Sequence, residues 1–257
     1  NKKIKNFDFK NKVYLVTGAN GRIGYSLSKH LINCGAKLIL VDIKTNNIKK
    51  LNIHKDHLVK KVDILKEKNI KDVIFLSNKR FKKIDGLIHC AYPTTRDWGN
   101  SFENVKSESL KKNLFNQIGV PVLISKLVIN YFLKKKIRGK IILISSIQGI
   151  RAPKFEHYKN LKMNSPVEYS IIKSGIISLT SYLAKLYKKK KISVNCVSPG
   201  GIKDNQPKKF IKRYLNSCGT KGLLNPEDIV GTISFLLNDS AEFINGQNII
   251  VDDGWSL

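Results

Sequence analysis

Short apolar runs alternate with amphipathic helical stretches from one end of this chain to the other, and no other feature narrows its fold as much. KVYLVTG (12–18), AKLILVDI (36–43), HLVKKVDI (57–64) and IDGLIHCAYP (84–93) read as strands. So do GKIILISSIQG (139–149), ISVNCVSPGG (192–201) and GQNIIVDDG (246–254). Between them, helical spacing runs over 22–35, then through about Arg80, from roughly Ser107 to Lys136, over 168–190 and over 226–239. This order predicts a single α/β domain over residues 1–257: a doubly wound parallel sheet of about seven strands with helices on both faces. Ligands on such sheets sit at the carboxyl ends of the strands, so the informative residues are expected there.

Composition excludes several classes. A 257-residue chain that is 42% hydrophobic fits one globular core. No apolar run reaches the roughly 18 residues of a membrane span, and the polar start NKKIKNFDFKNK leads into a strand, unlike a signal peptide. Cys34, Cys90, Cys196 and Cys218 have no metal-ligand spacing, which fits a reducing cytoplasm without disulfides and predicts no metal site. The net charge of +28 invites a nucleic-acid role, but 41 lysines against 6 arginines, spread along the chain, suggest AT-rich coding. Arginine forks are the usual tools for phosphate and base contacts. Neither nucleic acid nor membrane is an expected partner; the basic surface would attract small anions.

TGANGRIG (17–24) joins the first strand to the first helix. Gly18 and Gly21 allow a tight turn close to a diphosphate, Gly24 lets the helix pack on the sheet, and the helix amino end offers free N–H groups. Asp42 ends the second strand, 24 residues after Gly18. A carboxylate there accepts both ribose hydroxyls and repels a 2′-phosphate, so NAD is expected over NADP. Arg22 and Lys44 are the opposing cations. Asp63, with Ile64, is placed to hold the adenine edge.

Tyr169 and Lys173, in PVEYSIIKSG, stand four apart, but five of the nine tyrosines have a lysine at that spacing. Together, TGANGRIG, Asp42, Asp63, HCAYP, ISSIQG, YSIIK, NCVSPGGI and GQNIIVDDG resemble the short-chain dehydrogenase/reductase family over essentially the whole chain. The resemblance implies a Rossmann domain and a catalytic set of Ser146, Tyr169 and Lys173, with a helix residue that is either Gln117 or Asn113. It implies cofactor contacts from Gly18, Asn20, Gly21, Arg22, Ile23 and Gly24, then from Asp42, Ile43, Asp63 and Ile64. Cys90, Ala91 and Tyr92, Pro199, Gly200 and Ile202, and again Tyr169 and Lys173, complete that surface.

Tyr158/Lys162 is a rival pair, because Tyr158 lies 12 residues after Ser146 and Tyr169 lies 23 after it. Tyr169 is preferred because SGIISLTSYLA continues its helix, whereas Pro166 would end one begun at Tyr158. Residues i and i+4 share a helix face. An ammonium about 4 Å from the phenolic oxygen is worth up to about 4 kcal/mol at an effective dielectric near 20. That is about three pKa units, so the phenol is expected to fall toward neutrality. Arg22 stands where shorter family members carry glycine, and CAY replaces their Asn-Ala-Gly.

The Tyr169/Lys173 pair demands an insertion, about 149–168, beside the reaction centre. Its cations Arg151, Lys154, His157 and Lys162, with Arg96 from the loop after the fourth strand, suggest an anionic or sugar substrate. Arg96, Gln148, Lys154, Tyr158 and Gly201 are the candidate substrate contacts, and about 202–222 is expected to form a lid. The pattern from SSIQG through APKFEHY and SPVEY to SPGGIKDNQP resembles a bacterial subgroup linked to flagellin glycosylation and nonulosonic (legionaminic) acid pathways. The resulting expectation is a cytoplasmic, homotetrameric or homodimeric NAD(P)-dependent oxidoreductase of a sugar. Reduction of a lipid or acyl-carrier substrate, or silent nucleotide binding, are the alternatives. Helices 107–136 and 168–190 and the apolar C-terminal residues Trp255 and Leu257 are the surfaces a partner could cover.

Overall fold

The computed structural model describes residues 7–257. The expectation of no leader falls partly on residues 1–6, outside the described residues. Seven strands form one sheet: β1 (Val13–Thr17), β2 (Lys37–Asp42), β3 (Leu58–Lys61), β4 (Gly86–His89), β5 (Lys140–Ile144), β6 (Ser193–Pro199) and β7 (Asn248–Val251). Their order is β3-β2-β1-β4-β5-β6-β7, and every pairing is parallel. The chain reverses its direction of winding between β1 and β4, which opens a crevice at their carboxyl ends.

Strand pleating sorts the apolar side chains between two cores. Val13 and Leu15 of β1, Ile39 and Val41 of β2, and Ile141 and Leu143 of β5 point to one face. There they meet α2 (Glu67–Phe81), α4 (Val120–Lys135) and α5 (Val167–Leu186) through Ile70, Val128, Phe132 and Ile176. Tyr14, Val16, Leu38 and Leu40 point the other way, onto α1 (Arg22–Asn33) and α7 (Pro226–Leu237). Both faces are covered, which is why the strands read as continuous apolar runs rather than alternating ones. At about 25 cal/mol per Å² of buried apolar surface, these two layers are the main source of folding free energy.

The helix expected from Ser107 to Lys136 is interrupted. It runs as α3 (Ser107–Leu114), a π-helical turn (Phe115–Gly119) and then α4. Pro121 has no N–H to give the carbonyl of Gln117 and its ring crowds that carbonyl, so the helix widens there. The run Ser107–Lys135 is long and apolar enough to cross a membrane by length and composition alone, although Asn116, Gln117 and Lys126 break its apolar stretch. Val120, Ile124, Val128, Ile129 and Phe132 bury its inner face in the domain core. One helix was not anticipated: α6 (Lys208–Leu215), within the segment expected as a lid.

Lys140 opens β5 with its side chain buried, and its ammonium donates to the carbonyls of Leu236 and Asn238 at the end of α7. That contact satisfies the orphan Leu236 carbonyl, and adds to the Ala241 N–H bond on Asn238, with a cation at the negative end of the helix. Lys140→Ala is expected to lower stability by about 1–3 kcal/mol, because it strands buried acceptors. Urea unfolding followed by circular dichroism measures it.

Candidate active site

At the crevice, one cavity of about 1060 Å³ runs along the strand ends from Asp63 through Gly18 to Lys173 and on to Trp255. Its first wall is the β1–α1 turn. Gly18 has φ +66, and a Cβ there would lie 2.5 Å from the Ala91 nitrogen after β4. A Cβ at Gly24 would lie 2.2 Å from the Gly18 carbonyl oxygen. Neither position admits a side chain. Gly21 caps α1 without a side-chain hydrogen bond, so the first-turn N–H groups have no side chain competing for them.

Asp42 lines the next stretch. Its Oδ2 accepts from the Asn20 N–H at 3.0 Å and its Oδ1 from the Lys44 N–H at 3.0 Å. Each oxygen keeps a lone pair for a ligand hydroxyl. Asn20 also accepts from the N–H groups of Asn47 and Ile48, fixing the glycine turn to the loop after β2. Arg22 pairs with Asp204, so its charge is committed across the cleft. Asp63 lines the cavity, and its Oδ1 accepts from the Leu65 N–H. Asn20, Ile23, Ile43, Ile64, Cys90, Ala91, Pro199, Gly200 and Ile202 also line this cavity, as the sequence led one to expect.

Ser146, Tyr169 and Lys173 meet at the far side of the β1/β4 crevice. Ser146 follows β5 in extended backbone and its Oγ accepts from the Gln148 N–H. Tyr169 and Lys173 lie on the first turns of α5, which Pro166 starts. The rival pair is not equivalent. Tyr158 sits beyond a short 3-10 turn, its hydroxyl accepting from Gln148 Nε2, and Lys162 is exposed.

The electrostatics differ from expectation. Burial pushes the Tyr169 phenol up, opposed by a hydrogen bond with Ser146; the Lys173 charge does not bring it down. Lys173 Nζ instead donates to the Ile144 carbonyl at 3.0 Å and lies 5.4 Å from the centre of the Tyr169 ring. Burial lowers Lys173 to about 8, with Cys90 and Cys196 partly offsetting it. The ammonium is thus engaged by the Ile144 carbonyl and lies within reach of the Tyr169 ring without setting the proton affinity of the phenol. Behind them His89, held at about 3 by burial and then by the Lys173 charge, stays neutral and bonds Thr17 through Nδ1.

Neither candidate helix residue lines the cavity. Asn113 is buried, accepting from the Thr95 N–H and donating to Thr95 Oγ1 and Glu168 Oε1. Gln117 donates to the Pro93 carbonyl from the π-helical turn. Both brace the loop after β4; Asn116 is the residue of that turn that reaches the cavity wall.

The cations expected near the substrate face elsewhere. Arg96 is exposed and outside the lining, while its neighbour Trp98 lines it. Lys154 places its ammonium over the Trp255 ring, 4.8 Å from the centroid, and does not line the cavity. Arg151 donates to Ser256, and His157 is buried against Ser217. The insertion reaches the cavity only through Tyr158, Met163, Asn164, Ser165 and Pro166. Gln148 and Gly201 do line it. The rest of that wall, Phe210, Tyr214, Leu223 and Trp255, comes from α6 and the C-terminal segment. Phe210 and Tyr214 stand four apart on one helix face, a periodicity that was available in the sequence. Trp255 is thus covered within its own chain, whereas Leu257 is fully exposed.

Comparison with known proteins agrees with this geometry. A family model described as Enoyl-(Acyl carrier protein) reductase matches residues 18–256. The chain belongs to the short-chain dehydrogenase/reductase family. It is therefore an oxidoreductase of that family. It is 39% identical to Post-translational flagellin modification protein A of Campylobacter coli, over 96% of this chain and 99% of that one. It is 27% identical to a 7alpha-hydroxysteroid dehydrogenase of Bacteroides fragilis, covering 97% and 96%. A short-chain dehydrogenase from Leptospira borgpetersenii, solved with bound NAD+, superposes with a TM-score of 0.89 at 30% identity, covering 99% and 97%.

The wall that carries Leu223 is held by Asp253, whose carboxylate accepts from the N–H groups of Thr220, Lys221 and Gly222 and from the Thr220 hydroxyl. Those backbone bonds, Gly222 first, hold its carboxyl well below the usual range. A depressed carboxyl stabilises the fold above its unfolded pKa of about 3.9 and loses that contribution as pH falls. Asp253→Ala is expected to speed limited proteolysis between residues 215 and 224 at pH 7. The difference from wild type should shrink as the pH is lowered below 4.

Proposed function

We propose that this oxidoreductase is NAD-dependent and moves a hydride between nicotinamide and a hydroxyl-bearing or carbonyl carbon of a sugar. The observation that carries the reading is the single cavity joining the glycine turn and Asp42 to Ser146, Tyr169 and Lys173. Gly18, Gly21 and the amino end of α1 would hold the diphosphate, Asp42 the adenosine ribose, and Asp63 with Ile43 and Ile64 the adenine. The bound dinucleotide supplies the hydride. Tyr169 gives its proton to the carbonyl oxygen in reduction and takes it back in oxidation, and Ser146 donates a hydrogen bond to the same oxygen. Lys173 keeps positive charge beside the phenol and faces the nicotinamide ribose.

NAD rather than NADP is supported by Asp42 at the end of β2 and by the pairing of Arg22 with Asp204, which removes the cation best placed for a 2′-phosphate. The substrate end carries amides and hydroxyls (Gln148, Asn164, Ser165, Asn116) beside aromatic faces (Tyr92, Trp98, Tyr158). That chemistry suits a polyhydroxylated ring, and the diverted cations disfavour a carboxylate or phosphate bound next to the reacting carbon. The likeness to a flagellin modification protein supports a role in that pathway, with an amino sugar, sugar phosphate or nucleotide sugar as substrate. The segment 202–222, with α6 in it, acts as the lid, and the insertion at 149–168 as the substrate loop. Phe115 and Val122 along α3–α4, and Ile171 and Tyr182 on α5, are exposed apolar residues that support a homotetramer or homodimer. A cytoplasmic location completes the reading.

The test is NADH formation or consumption with a panel of amino sugars, sugar phosphates and nucleotide sugars, with acyl-carrier substrates as the competing arm. Tyr169→Phe is expected to cut kcat by about 10²–10⁴-fold while leaving NAD binding intact; unchanged turnover overturns the assignment. Asp42→Ala is expected to raise the KM for NAD about tenfold or more, through loss of charge-assisted hydrogen bonds, and to narrow the preference over NADP. Initial rates with both cofactors read it.

A further inference from the structure

The loop after β4 carries an aromatic pair into the reaction centre. Tyr92, Trp98 and Tyr169 meet edge to face, with ring centres 5.6 Å, 5.9 Å and 6.2 Å apart. The loop is pinned from behind at Pro93 by Gln117, at Thr95 by Asn113, and at Asp97 by Ser109. Asn113 is itself tied to Glu168, the residue before Tyr169 on α5. Loop and catalytic helix are therefore braced as one unit. The Lys173 ammonium lies over the Tyr92 ring, 5.2 Å from its centre, and over the Tyr169 ring at 5.4 Å. Both distances are within cation–π range, and the desolvated setting strengthens the attraction.

Lysine has four rotatable carbons and a compact charge that needs fixing. One hydrogen bond is recorded for this ammonium, to the Ile144 carbonyl on one side. The ring faces supply the attraction on the others. Resting on the reading of Tyr169 and Lys173 as the acid–base pair, we propose that Tyr92 is a positioning residue that holds the Lys173 ammonium between its own ring and that of Tyr169. The family-typical glycine at this place offers no ring. A cation held this way keeps its proton more firmly against the burial that works to remove it, and stays beside the phenol whose proton is transferred.

The experiment follows kcat against pH in carbonyl reduction, where the coupled Tyr169–Lys173 pair must be protonated. Removing the ring removes stabilisation of the ammonium. Tyr92→Leu is therefore expected to move the alkaline limb toward lower pH by about 0.5–1.5 and to lower kcat more than it raises KM. Tyr92→Phe keeps the ring face and restores the wild-type limb. An unshifted limb in Tyr92→Leu, or one in Tyr92→Phe that moves as far, overturns the proposal. Tyr92→Met serves should the leucine variant not fold by its thermal melt. Tyr169→Phe run alongside separates the two levels: if it retains turnover, the acid–base reading itself fails. If it is inactive while the Tyr92→Leu limb stays in place, only the role of Tyr92 fails.

Discussion

All seven strands run the same way, and everything functional in this molecule depends on that constraint. Parallel strands need long return connections, so every segment that follows a strand emerges at one edge of the sheet. The glycine turn after β1, Asp42 after β2, Asp63 after β3, Tyr92 after β4, Ser146 after β5 and Gly200 after β6 thus converge without any local signal between them. The tightest point is where Gly18 approaches Ala91 across the winding reversal, a gap too small for a methyl group.

Burial then governs the chemistry. A phenol and an ammonium placed at the end of a dry sheet both lose favourable hydration of their charged forms. Tyr169 is pushed up and Lys173 down to about 8, so burial favours the neutral phenol and loosens the ammonium proton. The protein limits the cost by holding Lys173 against the Ile144 carbonyl and two aromatic faces rather than by a direct ion pair. The substrate side follows the same economy. Lys154 and Arg151 of the insertion are turned onto Trp255 and Ser256, and Arg213 of α6 donates to the insertion's His157 and Lys159 carbonyls, which leaves amides and rings on the cavity wall.

Much of this was legible in the residues. Strand periodicity, the Gly18–Gly24 turn and the Ser146, Tyr169 and Lys173 set are short-range patterns, and each falls where its pattern says. Pro166 marks the start of the helix that carries Tyr169 and leaves Tyr158 outside it, because a proline position is a local statement about where a helix can start. The failures were of another type. Arg96 and Lys154 were assigned to substrate from charge and chain proximity, yet which way a loop side chain turns depends on what lies opposite. Trp255, 101 positions downstream in the C-terminal segment, is what Lys154 turns to. Asn113 and Gln117 were chosen as catalytic from their place on the helix, and both face the loop instead.

The sequence by itself determined the sheet, its direction, the glycine turn after β1 and the placing of Tyr169 and Lys173 one helical turn apart on α5, because periodicity, proline and glycine act through the backbone of a few neighbouring residues. Only the tertiary structure decided the state of that pair and the lining of the substrate wall. Desolvation, ring faces and the direction of a charged side chain arise from atoms brought together across the fold, and no stretch of chain contains them.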